Sequence, residues 1–270
     1  SAGVSVLLIL AAMLLRTTAD AWPIFQKEGF FGFLFGDEWT GGTARRGAAV
    51  EEYTGTYGAW PFIYGTLKTS SIAIVIALPT AIAVAICINK LAPRRLKQPL
   101  AYGVETLAAV PSIVYGLWGL LFLAPTVIRP FMEMLERNLG EHIFLFEGPV
   151  FTTSYFTLGV VLAIMILPIS TAVIREVMAA VPVEEEHAAY GMGATRWEVV
   201  RKVTLPRSFS GIVGGTMLGL GRAIGETVAA AMLVGSGQSW DTSLLASGDT
   251  MAGHIANTFQ DARPETVTGL

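Results

Sequence analysis

The chain has 270 residues, 53% of them hydrophobic and only 14% charged, with a formal net charge of −3 and a mean hydropathy of +0.57. Soluble domains carry about 25% charged residues, so this composition speaks against a soluble enzyme or a nucleic-acid partner and for a polytopic membrane protein. One cysteine, Cys87, allows no intrachain disulfide, and His142, His187 and His254 are too far apart in sequence to suggest a metal site.

The first element is an apolar run over residues 2–15. It lacks a basic flank and an A-x-A cleavage site, so residues 1–15 are expected to be a first transmembrane helix, truncated at its cytoplasmic end, rather than a signal peptide. Residues 16–61 hold Trp22, Phe25, Phe30, Phe31, Phe33, Phe35, Trp39, Tyr53 and Tyr57 among glycines and mixed charges. That pattern reads as an extracytoplasmic, interfacial segment whose aromatics form a belt.

A core of several membrane spans is expected over 62–265. Its first span, 62–89, contains Pro79 and ends at Lys90, Arg94, Arg95 and Lys97. Four basic residues in a short loop mark the cytoplasmic side. The next span, 102–128, is interrupted at 109–112 by Pro111 and Ser112, and such a break is tolerated where neighbouring helices or a polar cavity satisfy the freed carbonyls. An acidic extracytoplasmic connection with a short helix follows over 129–149, then a fourth span over 153–174 with Pro168 inside it.

Residues 183–206 are amphipathic. Ala189, Gly193, Trp197, Val200 and Thr204 recur at spacings of four, four, three and four, while Glu184, Glu185, Arg196, Glu198, Arg201 and Lys202 occupy other positions. One helical face is expected, in a segment too polar to cross a bilayer and therefore lying beside it on the cytoplasmic side. Gly193 permits a bend into two short helices, and Pro206 suits the first turn of the next helix.

A fifth span over 210–234 carries Arg222 and Glu226. Each intramembrane charge costs roughly 2.5–3.5 kcal/mol on insertion scales, so neither is expected to face lipid. The spacing of four puts both on one helical face, where they would neutralise each other. Gly211, Gly215 and Gly219 form two overlapping G-x-x-x-G repeats on the same stripe, the pattern of close helix contact. A structural pair and a pair lining a polar path both satisfy these residues. Beyond residue 235 the chain is expected outside again, with a short interfacial helix near 251–259, and 266–270 read as the truncated start of a sixth span.

The run His187, Ala188, Ala189, then Gly193, then Val203-x-Leu205-Pro206 resembles the E-A-A, G, I-x-L-P loop of ABC-importer membrane subunits. The run 219–227, G-L-G-R-A-I-G-E-T, is similar more narrowly to the C-type permease of phosphate-specific importers, and 111–119 resembles the same permeases. The likeness covers about 61–264. One departure is that His187 stands where the family has the Glu of E-A-A, with Glu186 just before it.

The resemblance implies an all-α ABC type I importer permease fold, with a six-span core of which about five spans are visible and a coupling helix between spans four and five. It implies a multi-pass subunit of the prokaryotic plasma membrane, non-catalytic, holding half of a phosphate path. It also implies partners: an A-type permease, two ATPase subunits that bind ATP and Mg, and an extracytoplasmic phosphate-binding protein. On this likeness Arg222, Glu226, Thr227 and Ser112 are candidates for the substrate path. Glu186, His187, Ala188, Ala189, Gly193, Leu205 and Pro206 are candidates for ATPase coupling. No cofactor is expected on this chain itself, which has no P-loop pattern. Permeases for molybdate, sulfate or amino acids share the docking loop and remain alternatives. A stand-alone channel or carrier, or a membrane enzyme, would need no docking surface, and no nucleophile–base–orienter set is present.

Overall fold

The computed structural model describes residues 2–40, 44–45, 55–235, 237, 240–259 and 266–267. Among them the chain is almost wholly helical. Four helices are long and apolar enough to cross a membrane: Gly3–Glu28, Trp60–Leu91, Ser112–Leu139 and Tyr155–Ala179.

Helix α7 (Tyr155–Ala179) is the centre of the bundle. Ser154 caps it by accepting the Thr157 N–H, and most of its length is buried, from Tyr155 to Met178. Helix α3 (Trp60–Ile86), which continues as a π-helical turn over Cys87–Leu91, packs along it. The reason lies in a stripe of small residues: Gly65, Thr69, Ala73, Ala77, Ala81 and Ala85 recur every fourth position and all are buried. Hydrocarbon tails are as apolar as leucine, so burial from water does not drive such contacts; close van der Waals approach of small-residue faces does.

Helix α10 (Leu205–Ile224) packs along α7 by the same means and also meets α3. A Cβ added at Gly211 would lie 2.2 Å from Val177 Cγ1, and one at Gly219 would lie 2.5 Å from Ser170 Oγ. Ser170 Oγ donates to the Gly215 carbonyl across this contact at 3.2 Å. The expected glycine stripe is therefore the face that meets α7.

Other elements depart from the sequence reading. Helix α1 (Ala2–Glu28) runs well past residue 15, because its polar residues satisfy one another on the helix: Arg16 pairs with Asp20 at 3.5 Å, and Thr17 Oγ1 bonds the Met13 carbonyl. Gly29, at φ 73°, ends it, and α2 (Phe30–Phe35) follows, so much of the expected loop is helical. Its aromatics form a cluster, with Phe25 and Phe33 5.0 Å apart edge to face.

The interrupted span is longer than expected at both ends. Helix α4 (Arg94–Ala108) begins at the basic turn. After the break, α5 (Ser112–Trp118) runs through a π-helical stretch (Gly119–Ile128) into α6 (Arg129–Leu139). The polar 129–139 residues are thus a helical extension.

Two short helices, α8 (Val183–Gly191) and α9 (Arg196–Val199), form the cytoplasmic segment, and a π-helical turn (Val200–Thr204) joins them to α10. The expected fifth span is not one helix. It stops at Ile224, and α11 (Val228–Leu233) restarts beyond Gly225, Glu226 and Thr227. Helix α12 (Met251–Thr258) matches the expected interfacial helix. Residues Thr266–Val267 (β2) pair antiparallel with Ala44–Arg45 (β1) rather than opening a sixth helix. Residues 268–270, and Tyr53, lie outside the described residues.

The glycine contact is directly testable. Gly211→Ala forces α10 off α7 at Val177, an overpacking that should destabilise the fold by about 1–3 kcal/mol. Thermal unfolding of the purified protein in detergent should show a lower midpoint, partly regained when Val177→Ala is added. An unchanged midpoint in Gly211→Ala would mean that α7 and α10 do not approach this closely.

Candidate functional site

Two interruptions meet at one depth. Gly215 and Gly219 on α10 face Ile174, Ser170 and Ile166 of α7, so the end of α10 lies beside the middle of α7. Leu107, Val110, Val114, Tyr115 and Trp118, which flank the α4–α5 break, share an apolar pocket with Ile164, Leu167 and Pro168 of α7. Gly116 of α5 contacts Ala229 of α11, and Gly119 approaches Leu233, so α5 and α11 run in parallel. Their starts, Ser112 and Val228, are therefore neighbouring ends of two interrupted helices, both near the middle of α7.

Arg222 and Glu226 sit at this level, and they do not neutralise each other. The sequence places them one turn apart on a continuous helix, but α10 ends at Ile224 and the chain turns at Gly225, so the one-turn geometry is lost. Glu226 is buried and points onward: its Oε1 accepts the Ala229 N–H at 3.3 Å. A carboxylate there complements the free N–H groups and the positive dipole end of α11. Arg222 is half-buried and its Nε is buried without a hydrogen-bond partner. Tyr115 lies within electrostatic reach of Arg222, while its hydroxyl donates to the Leu107 carbonyl at 2.9 Å. Thr227 is exposed, at the position before α11, and makes no side-chain cap; Ser112 is half-buried at the first position of α5. Among the described residues this leaves one buried guanidinium edge free where two helices are interrupted.

The end of the bundle where α3 begins is latched by residues that the sequence did not single out as a set. Lys68 Nζ donates to the carbonyls of Asp241, Thr242 and Ser243 at 2.8, 2.9 and 2.6 Å. It also lies 4.3 Å from the Tyr155 ring centroid. All three ammonium donors are thus consumed in holding the 240–250 loop. Below it, buried Asp249 meets His254 Nδ1 at 3.0 Å, and Thr66 Oγ1 accepts the Met251 N–H at 3.0 Å.

The cytoplasmic segment is organised by Glu186. Its buried carboxylate accepts from Lys90 Nζ at the end of α3 and from Thr204 Oγ1 at 3.0 Å, just before α10. One side chain therefore ties α8 to two crossings, facing inward. Ala189 is also buried, whereas His187 and Ala188 are exposed. The expected single stripe divides at Gly193, whose φ of 88° ends the helical repeat: Ala189, Val200 and Thr204 face inward, while Gly193 and Trp197 are exposed. Thr195 and Glu198 then start α9 with a capping box. Glu185, on the outer edge of α8, takes the Arg207 guanidinium in a two-pronged contact, with Nε donating to Oε2 at 2.7 Å and Nη2 to Oε1. Beside that contact lies an open groove of about 510 Å³, walled by Ala188, Ala189, Met192, Val203 and Pro206; Leu205 is half-buried behind it.

A family model for binding-protein-dependent transport system inner membrane components matches residues 77–253. The chain is 39% identical over 265 residues to the phosphate transport system permease protein PstC of Mesorhizobium japonicum, an alignment covering 97% of this chain and 77% of that protein. It is 41% identical over 260 residues to PstC of Pasteurella multocida, covering 95% and 78%. With PstC 2 of Mycobacterium tuberculosis it shares 43% identity over 218 residues, covering 79% and 67%.

The Glu185–Arg207 contact gives a pH prediction. Hydrogen bonds from Arg207 hold the exposed Glu185 carboxyl below its ordinary range. A depressed folded-state value means that the contact is fully present above the ordinary glutamate range and is lost as pH falls through the lower value. Hydrogen-exchange protection of α8 should hold from neutral pH to about pH 5 and fall below about pH 4. Arg207→Gln should show the lower protection at every pH. Equal protection in both proteins at neutral pH would mean that Arg207 does not fasten α8.

Proposed function

Because this chain belongs to the family of binding-protein-dependent transport system inner membrane components, we propose that it forms half of the transmembrane path of an ATP-driven importer whose cargo is inorganic phosphate. It is a multi-pass inner membrane component, and the cargo is taken from the phosphate transport permeases that it resembles over nearly its whole length. The other half of the path would come from a related A-type permease. Two cytoplasmic ATPase subunits would bind ATP and Mg, and an extracytoplasmic binding protein would deliver phosphate.

The observation that carries this reading is Arg222, a cation left unpaired where α4–α5 and α10–α11 are both interrupted. An anion crossing a low-dielectric layer meets a high self-energy barrier, which a fixed cation lowers. A guanidinium presents a planar fork that suits phosphate oxygens. Glu226, turned toward the α11 backbone, does not compete for that fork but keeps negative charge near enough to limit how tightly an anion is held. Ser112 and Thr227 supply hydroxyls at the two adjoining helix starts.

Coupling would run through α8 and α9. The groove beside Ala188, Met192 and Pro206 offers the ATPase a surface that the protein leaves open. His187 stands exposed next to it in place of the family glutamate. Glu186 is better suited to transmission than to contact, since a push on α8 reaches α3 through Lys90 and α10 through Thr204. Closure of the ATPases would then rock these crossings and expose Arg222 alternately to either side.

The test is uptake of labelled phosphate into vesicles holding the whole complex, with sulfate as competitor. Arg222→Gln should abolish uptake, by at least about a hundredfold if one charge-assisted phosphate contact is lost in the path, while the complex still assembles and hydrolyses ATP. Normal uptake in Arg222→Gln would remove Arg222 from the path, and equal inhibition by sulfate would widen the cargo to other oxyanions.

A further inference from the structure

On the far side of α8–α9 from the groove just described lies a second and larger one, of about 900 Å³, between that segment and the turn joining α3 to α4. Four basic residues line it, Lys90, Arg94, Lys97 and Arg196, and no acidic side chain does. Lys90 is balanced by Glu186, while Lys97 Nζ donates to the Asn89 carbonyl, which uses a donor but leaves the charge in place. Arg94 and Arg196 are exposed and have no ion-pair or hydrogen-bond partner among the described residues. Three positive charges thus converge on one concavity without counter-charge.

The same groove has an apolar side where Leu91, 62% exposed, lies over the buried Ile86 and Val200, and an aromatic rim made by Tyr190 and Trp197, the latter 61% exposed. The membrane-length helix that contains α3 runs on through the π-helical turn to Leu91, so the groove lies at the end of that helix. Basic residues over an apolar wall, with exposed Trp and Tyr at the interface level, match the two-part chemistry of a lipid: a charged headgroup above an acyl chain. Free phosphate would use the charges and leave the apolar wall bare.

We propose that this groove seats the phosphate-bearing headgroup of an anionic phospholipid of the cytoplasmic leaflet, with Arg94 and Arg196 as its principal contacts and the exposed Leu91, Tyr190 and Trp197 against the upper acyl chain. An excess of three positive charges favours a headgroup with two phosphodiesters over one with a single phosphodiester. The bound lipid would bridge the α3–α4 turn to α9, beside the Lys90–Glu186 contact that already joins that turn to α8.

Native mass spectrometry of the intact complex, titrated with cardiolipin, phosphatidylglycerol or phosphatidylcholine, tests this. The wild-type complex should retain cardiolipin best and phosphatidylcholine least, with retention falling as salt rises. Arg94→Gln with Arg196→Gln should weaken cardiolipin binding about thirtyfold, at about fivefold per charge removed, while Arg94→Lys with Arg196→Lys should keep most of it. The lipid ranking in the wild-type complex needs no variant, so it holds as a test even where a variant folds poorly. Equal retention of anionic and zwitterionic lipids would overturn the proposal. So would displacement of cardiolipin by excess inorganic phosphate, or loss of co-purifying ATPase subunits from the glutamine variant with lipid retention unchanged, which would mark the groove as part of the ATPase contact.

Discussion

The structure depends on how closely two helices can approach α7. Small residues every fourth position on α3, and glycines every fourth on α10, bring both backbones against one central helix. In a bilayer this contact must do the work that hydrophobic burial does in water. It also sets depth. Because Gly219 rests against Ser170, the end of α10 is fixed beside the middle of α7, and Arg222, one turn later, is held at that level. The cost of that charge is then met by local arrangement rather than by escape to water.

What meets it is an interruption. A continuous helix would have joined Arg222 to Glu226 and left a neutral, closed pair. Ending α10 at Ile224 instead separates them, giving Glu226 to the start of α11 and leaving an edge of Arg222 without a partner. The parallel break at Pro111 places a second irregular backbone beside the first. Irregular backbone at membrane depth is stable only where protein or a polar cavity satisfies it, so paired breaks and a free guanidinium are consistent features of one polar path. Glu186 extends this logic to the cytoplasm, where a single buried carboxylate fastens the docking segment to the crossings on either side.

Much of this was legible in the sequence because its cause is local. Pro111 marked the first break, Gly193 marked the bend between α8 and α9, and the glycine repeat marked a close helix contact, which the fold makes with α7. The second break was not legible. Arg222 and Glu226 at a spacing of four suggest a pair on a helix, and Gly225 alone, in a glycine-rich run, gives no warning that the helix stops there. The inward role of Glu186 was missed for a related reason: its partners, Lys90 and Thr204, are brought to it by tertiary packing. The same holds for Lys68, whose three carbonyl acceptors lie more than 170 positions further along the chain. Helix α1 was underestimated because Arg16 and Asp20 look like a boundary until their pairing along the helix is seen.

The separation of Arg222 from Glu226 is the point on which this description turns, and exchanging the two charges addresses it most directly. In Arg222→Glu with Glu226→Arg, a bonded structural pair would be re-formed with its partners reversed, and uptake of labelled phosphate would return. With the two side chains in separate environments, the exchange puts a carboxylate at the proposed place of anion passage and a cation at the positive end of α11, so uptake should stay abolished although the complex assembles and hydrolyses ATP. Recovery of wild-type uptake in the exchanged protein would contradict the assignment and make Arg222 a helix-packing device.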